Sequence, residues 1–160
     1  TAAPAGLSAG LANSNKVQDY LRDAFETGRS GNEALAEARG LRAHYHPHLS
    51  TIVEGPKTVA KIFDLTAIDF CPDTAHLAAA GGDPAQLIRD HAKRISYVHL
   101  KGFQRDPFAF TPLDRGDIPT GPILQALRDT GYQGWICAEL DAWPNPAEGA
   151  RISMEYLKNH

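Results

Sequence analysis

Three short stretches each end an apolar run with side chains that hold cations or move protons. Ala67-Ile68-Asp69-Phe70 leads into Cys71-Pro72-Asp73-Thr74-Ala75-His76. The run Ile95 to Leu100 contains His99 and is followed by Lys101, and Gly134-Trp135-Ile136-Cys137-Ala138 leads into Glu139, Leu140 and Asp141. A β-branched or aromatic run that stops at proline or at charged residues reads as a buried strand giving way to a loop. In α/β folds the loops at strand carboxyl ends bear the chemistry. A hard divalent cation is held by carboxylate oxygens and imidazole nitrogens converging from several elements, and Asp73, His99 and Glu139 make up such a set. Each has an ordinary alternative: Asp73 as a loop cap, His99 as a satisfied core histidine, and Asp141 as the ligand in place of Glu139.

The rest of the chain must place these side chains. Residues 1–14 are rich in Ala, Gly, Ser and Asn and read as a loop or loose tail. Val17, Tyr20, Leu21, Ala24 and Phe25 recur at helical spacing up to Gly28, and a second short helix is predicted over 33–39, ended by Gly40. A strand over 41–45 runs into His46-Pro47-His48, with Pro56 opening a helix to Leu65. His44, His46 and His48 alternate, which places them on one face of an extended segment. After the Asp73 strand comes a loop through Gly81-Gly82. A helix follows over 83–93, with Asp83 as N-cap and Pro84 at the first helical position. A long loop over 102–117 contains Phe103, Phe108 and Phe110, which read as packing residues. The last elements are a helix over 122–129, the strand at 135–140 and a helix over 146–158. In that final helix Ala150, Ile152, Ser153, Tyr156 and Leu157 are the candidate buried positions.

Four parallel strands alternating with helices make half of a (β/α)8 barrel, its polar loops gathered at the carboxyl ends of the strands. The expected organisation is a single α/β domain, a partial TIM barrel, with residues 1–32 as tail and helix and residues 33–160 as the strand-helix units. A full barrel takes about 250 residues. The 160 present therefore predict either a piece of a longer protein or a homo-oligomer that completes the barrel through its open sheet edges. The absence of an initiator methionine at Thr1 agrees with something missing upstream.

Composition narrows the class of partner. With 42% hydrophobic residues the chain buries an ordinary globular core. A net charge of -3 with scattered lysines and arginines offers no basic stripe, so nucleic acid is not expected as a partner. No apolar run reaches the length of a membrane span and no signal-like segment opens the chain. Cys71 and Cys137 sit in or beside apolar strands and read as small buried hydrophobes, which with the other features predicts a cytoplasmic protein.

The ordered motifs Tyr45-His46-Pro47-His48 with Thr51 and Glu54, Pro72-Asp73-Thr74-Ala75-His76, Val98-His99-Leu100-Lys101, Leu113-Asp114-Arg115-Gly116-Asp117 and Trp135 to Asp141 resemble the xylose-isomerase-like family of sugar-phosphate isomerases and epimerases. Within it the resemblance is to the inosose-dehydratase-like branch, over roughly residues 33 to 158. It implies a TIM barrel holding a divalent metal, manganese first and Co, Mg or Zn as alternatives. The implied ligands are Asp73, His99 and Glu139, with His46 at the position where the family has a glutamate. Imidazole is an acceptable ligand for Mn, Co or Zn. Loss of one of the family's two catalytic glutamates favours a dehydratase over a two-base epimerase.

The resemblance further implies a small sugar or cyclic polyol ketone as substrate. Dehydration would pass through an enolate, with Glu139 and either His76 or His48 transferring protons and Lys101 orienting or stabilising the enolate oxygen. Glu54 and Arg115 are candidate substrate contacts alongside His48. Gly102 stands where the family has an acid, which removes an expected partner of Lys101. Two other readings stay open: a sugar-phosphate isomerase or epimerase, and a catalytically silent fragment or binding module. The related abasic-site endonucleases would need more metal ligands and a basic DNA face, and neither is visible.

Overall fold

Strand ends bring the chemistry together, so the strands come first. The computed structural model describes residues 31–160, and the predicted tail and the helix over 16–27 lie outside the described residues. The chain divides into two compact units, one comprising the residues up to Ala43 with Phe63–Ile68, the other His44–Ile62 with Asp69–His160. In the described part of the first, helix α1 spans Gly31–Glu37, and the turn after it closes at Gly40 with φ 68°, a left-handed conformation that glycine adopts freely.

In the second unit, β1 (His44–Tyr45) pairs in parallel with β2 (Asp69–Phe70), and β3 (Tyr97–Leu100) pairs in parallel with β6 (Trp135–Ala138). Parallel bridges Phe70↔Ile95 and Asp73↔His99 connect β2 to β3. The four strands therefore lie in the order β1, β2, β3, β6, all in one direction, as in consecutive strands of a (β/α)8 barrel. Helix α2 (Pro56–Leu65) follows β1, and α3 (Thr74–Ala79) and α4 (Pro84–Asp90) follow β2. Helix α5 (Thr120–Asp129) precedes β6, and α6 (Pro146–Asn159) ends the fold. Along β3, Val98 and Leu100 are buried while Tyr97 and His99 are half-exposed. This period-2 alternation sends the apolar side chains to the helical layer and His99 to the opposite face. Phe70, Leu77, Ile88, Val98, Leu100, Ile123 and Leu127 form the buried core.

Local signals explain most of the helix starts. Asp83 accepts the N–H of Gln86 and Pro84 occupies the first turn of α4. Asn145 accepts the N–H of Glu148 ahead of Pro146 in α6. Three expectations need correction. The segment after Asp73, read as a loop, contains α3, whose N-cap is Asp73 itself. The loop over 102–117 contains an antiparallel hairpin, β4 (Gly102–Gln104) with β5 (Ala109–Thr111), each strand too short to show a period. Within α6, Ser153 is buried but Ala150 is exposed, because the face turned inward runs through Gly149 and Ser153.

Gly102 also explains the missing acid after Lys101. A Cβ at this position would meet Thr111 O and Oγ1 at 2.5 Å and Pro112 O at 2.7 Å. The hairpin turns back so tightly against the end of β3 that no side chain fits there.

Candidate metal and proton-transfer site

His46, Asp73, His99 and Glu139 follow or end the four parallel strands, and backbone pairing sets them side by side. The Tyr45 carbonyl accepts Cys71 N–H, His99 N–H donates to the Pro72 carbonyl, and Glu139 N–H donates to the Leu100 carbonyl. Continuation of the Leu100↔Ala138 register sets Glu139 beside Lys101. From each of the four residues one ligand atom lies within 4.8 Å of the others. His46 Nε2 is 3.3 Å from Asp73 Oδ2, and His99 Nδ1 is 2.6 Å from Glu139 Oε2.

That last pair tests whether a metal suits the site. Both atoms are buried, yet neither makes a hydrogen bond of acceptable geometry among the described residues. Buried polar atoms are ordinarily satisfied, and beyond the Lys101 ammonium, 3.1 Å from Glu139 Oε2, an imidazole and a carboxylate converging this closely form a donor set that a divalent cation fits. The donor set of two imidazoles and two carboxylates suits Mn, Co or Zn.

Asp73 has two jobs, one for each oxygen. Oδ1 accepts the backbone N–H groups of Ala75 and His76 and so caps α3, while Oδ2 faces His46 and lies 3.0 Å from Lys101 Nζ. Burial alone would raise its pKa. The hydrogen bond from His46, the His76 N–H and the Lys101 ammonium outweigh burial and hold the carboxyl well below the usual range.

Lys101, buried to 2% exposure, also lies 3.1 Å from Glu139 Oε2 and 2.9 Å from Asp141 Oδ2. Burial disfavours its charge, but the hydrogen bond to Asp141, then Asp73 and Glu139, push its pKa up, so it remains an ammonium. The partner expected at position 102 is thus replaced by Asp141, which reaches Lys101 from the end of β6. Thr74 fixes the backbone of Lys101, accepting its N–H and donating to its carbonyl.

His76 is buried, with Nε2 3.3 Å from Lys101 Nζ and Nδ1 3.4 Å from the Leu49 N–H. Burial pulls its pKa down to about 4, Asp73 opposing and Lys101 reinforcing the shift, so the ring is neutral at neutral pH. The His48 ring lies against it at 3.8 Å between centroids. His48 Nδ1 bonds the Leu49 carbonyl at 2.8 Å, which puts a proton on that nitrogen.

A consequence for stability follows in metal-free protein. Between pH 6.5 and about 4 the unfolded chain binds a proton at His76 that the folded chain does not. Stability is therefore full above 6.5 and falls on acidification through this window, by up to about 1.4 kcal/mol per pH unit. Urea unfolding at stepped pH in chelator should show this slope, and His76→Gln should flatten it.

Other sequence candidates are engaged by local partners. Glu54 accepts the Ser50 N–H at 2.7 Å and orders its own loop. Arg115 forms a two-pronged pair with Asp114, 2.8 Å on each arm, beside the Trp143 ring. Its guanidinium is thereby held in its own turn. His44 parts from His46 and His48: its Nε2 meets Ser96 Oγ, because the extended segment ends at Tyr45 and the alternation stops there. Cys71 is buried with its thiol pushed up to about 12 by burial, and Cys137 is half-buried; both are free. The residue that sequence reasoning missed is Phe110, whose ring centroid is 4.9 Å from Lys101 Nζ and 5.0 Å from His76. No helix among the described residues is long and apolar enough to cross a membrane.

Comparison with known proteins agrees with this fold. The inosose dehydratase of Clostridium perfringens (strain ATCC 13124) is 29% identical over 148 residues, covering 78% of this chain and 50% of that protein. The rhizopine catabolism protein MocC of Rhizobium meliloti is 33% identical over 134 residues, covering 72% of this chain and 41% of that one. The crystal structure of the probable 3-DHS dehydratase AsbF of Bacillus anthracis superposes with a TM-score of 0.68 at 16% identity, over 94% of this chain and 60% of that chain. At that identity the likeness is one of fold. The chain spans about half the length of the curated relatives it matches, consistent with four strands of an eightfold barrel. Residues 8–160 match the family described as xylose isomerase-like TIM barrel, and with parallel strands whose ends gather imidazoles and carboxylates, this chain belongs to that family.

Proposed function

We propose that this chain holds the metal-binding and proton-transferring half of a divalent-metal lyase acting on a cyclic polyol ketone, with dehydration as the reaction. The observation on which this rests is the convergence of His46, Asp73, His99 and Glu139, with His99 Nδ1 and Glu139 Oε2 2.6 Å apart at its centre. These four residues would hold the ion, manganese being the first candidate. A bound divalent ion acts as a Lewis acid on a carbonyl oxygen and acidifies the neighbouring C–H.

The chain's own residues account for the remaining chemistry. Glu139 takes the proton from the carbon beside the carbonyl, and Lys101 presents its ammonium beside the Glu139 oxygen, 3.1 Å away, where negative charge develops on the substrate. His76, being neutral, lies with Nε2 3.3 Å from the Lys101 ammonium and positions it rather than acting as an acid. His48 is then the histidine that would protonate the departing hydroxyl: in its imidazolium form the Nδ1–H stays on the Leu49 carbonyl and the Nε2–H passes to the hydroxyl, which leaves as water. An imidazole at His46, in the position where the family has a glutamate, leaves Glu139 as the single carboxylate base, which suits an elimination better than two-base epimerisation. The inosose dehydratases among the relatives support the same choice.

Metal analysis and solvent-deuterium exchange test the proposal together. One Mn2+ per chain should be retained through gel filtration. An inosose should exchange its α-proton with D2O in the presence of the protein, an exchange lost in Glu139→Gln. Protein that retains no metal, or retains metal without exchanging the proton, would be a silent member of the family.

A further inference from the structure

The hairpin β4–β5 places three phenylalanines in a row that runs from the core to solvent. Phe103 is buried, Phe110 is half-buried, and Phe108 is 59% exposed. Phe103 and Phe110 are cross-strand partners, and Phe108 lies 5.4 Å from the first and 5.5 Å from the second, tilted edge to face on both. The inner end of the row touches the proton-transfer groups: Phe110 stands under the Lys101 ammonium and edge-on to His76. An exposed phenylalanine that extends such a row is not needed to fill the core, and it continues the apolar surface outward from the site.

We infer that Phe110 and Phe108 form the wall on which the ring of a cyclic polyol ketone lies, and that they select a closed ring over an open chain; this rests on the function proposed above. The site has two unlike sides. One consists of Lys101, His76 and the carboxylates, which pair with carbonyl and hydroxyl groups. The other is the aromatic row. A polyol ring with equatorial hydroxyls has the matching form, a polar rim and a face of axial C–H bonds, whose partial positive charge suits the negative face of an aromatic ring. An open-chain ketose has the polar groups without the face. Charge points to a neutral ligand: the Lys101 ammonium is already surrounded by Asp73, Glu139 and Asp141, leaving no surplus cation there for a phosphate.

Calorimetric titration of the full chain loaded with Mn2+ tests the wall, using an inosose as the cyclic ketone and erythrulose, too short to cyclise, as the open one. Phe108→Ala, at an exposed position, and Phe110→Leu, which keeps an apolar side chain, should each weaken inosose binding about tenfold. Erythrulose binding and Mn2+ affinity should stay within about twofold of wild type. Equal weakening of both ketones, or no weakening of either, overturns the wall while leaving the metal-dependent reading in place. Wild-type protein that binds Mn2+ but neither ketone overturns the substrate class and the wall with it.

Discussion

Replacing Lys101 with methionine should destabilise the metal-free protein by about 3–5 kcal/mol, the cost of stranding a buried charge. Methionine matches the apolar stem of lysine, so the core stays filled and the loss falls on the charge. Lys101 Nζ lies within 3.0 Å of Asp73 Oδ2, and the Asp73 side chain is fully buried. Without the ammonium, Asp73 keeps its two backbone donors and His46, which do not neutralise a carboxylate in a dry environment. Glu139 and Asp141 are partly exposed and recover water, so their share of the loss is smaller. Urea denaturation in chelator should show a lower midpoint at an unchanged m-value. Adding Asp73→Asn to Lys101→Met should regain part of the loss, since it removes the stranded charge. A single variant that unfolds within about 1 kcal/mol of wild type, the scale of a surface ion pair, would mean that Asp73 and Lys101 are not paired in a dry site.

The largest effect on metal is expected from Asp73→Asn, which should lower Mn2+ affinity by about 100-fold or more, beyond the loss typical of a residue that only supports a ligand. The substitution separates the two roles of the side chain. Asparagine retains an oxygen that accepts the Ala75 and His76 N–H groups, so α3 keeps its cap. What disappears is the anionic oxygen facing His46 and Lys101. Asp73→Ala removes both, and should cost about 1 kcal/mol more in helix stability than asparagine does. Calorimetric titration with Mn2+ measures the first effect and thermal unfolding the second. If Asp73→Asn binds Mn2+ as wild type does, the ion is not held by this cluster.

The strands, their direction and the residues at their tips were legible because their signals are local. An apolar run of β-branched and aromatic residues ending at Pro72 or at charged residues marks a strand wherever it occurs, and Asp83-Pro84 marks a helix start. The hairpin and α3 were not legible. Three-residue strands show no periodicity, and the six residues Thr74–Ala79 become a helix because Asp73 caps them and the barrel layer buries Ala75 and Leu77. Glu54 and Arg115 show the same limit from the other side. Their types suit substrate binding, but in the fold Glu54 takes the Ser50 N–H and Arg115 pairs with Asp114.

By itself the sequence determined the family and the parallel architecture and put forward Asp73, His99 and Glu139 as converging residues, with His46 added by the resemblance, since strand patterning and terminal polar residues are written in contiguous segments. Only the tertiary structure decided how the carboxylates are shared. Glu139 meets both His99 and Lys101, Asp141 reaches Lys101, and Asp73 divides its oxygens between a helix cap and the cluster. It also decided that Phe110 stands against Lys101. These choices depend on distances of a few ångströms between segments far apart in the chain, set by strand register and by the tight return at Gly102, which no local pattern encodes.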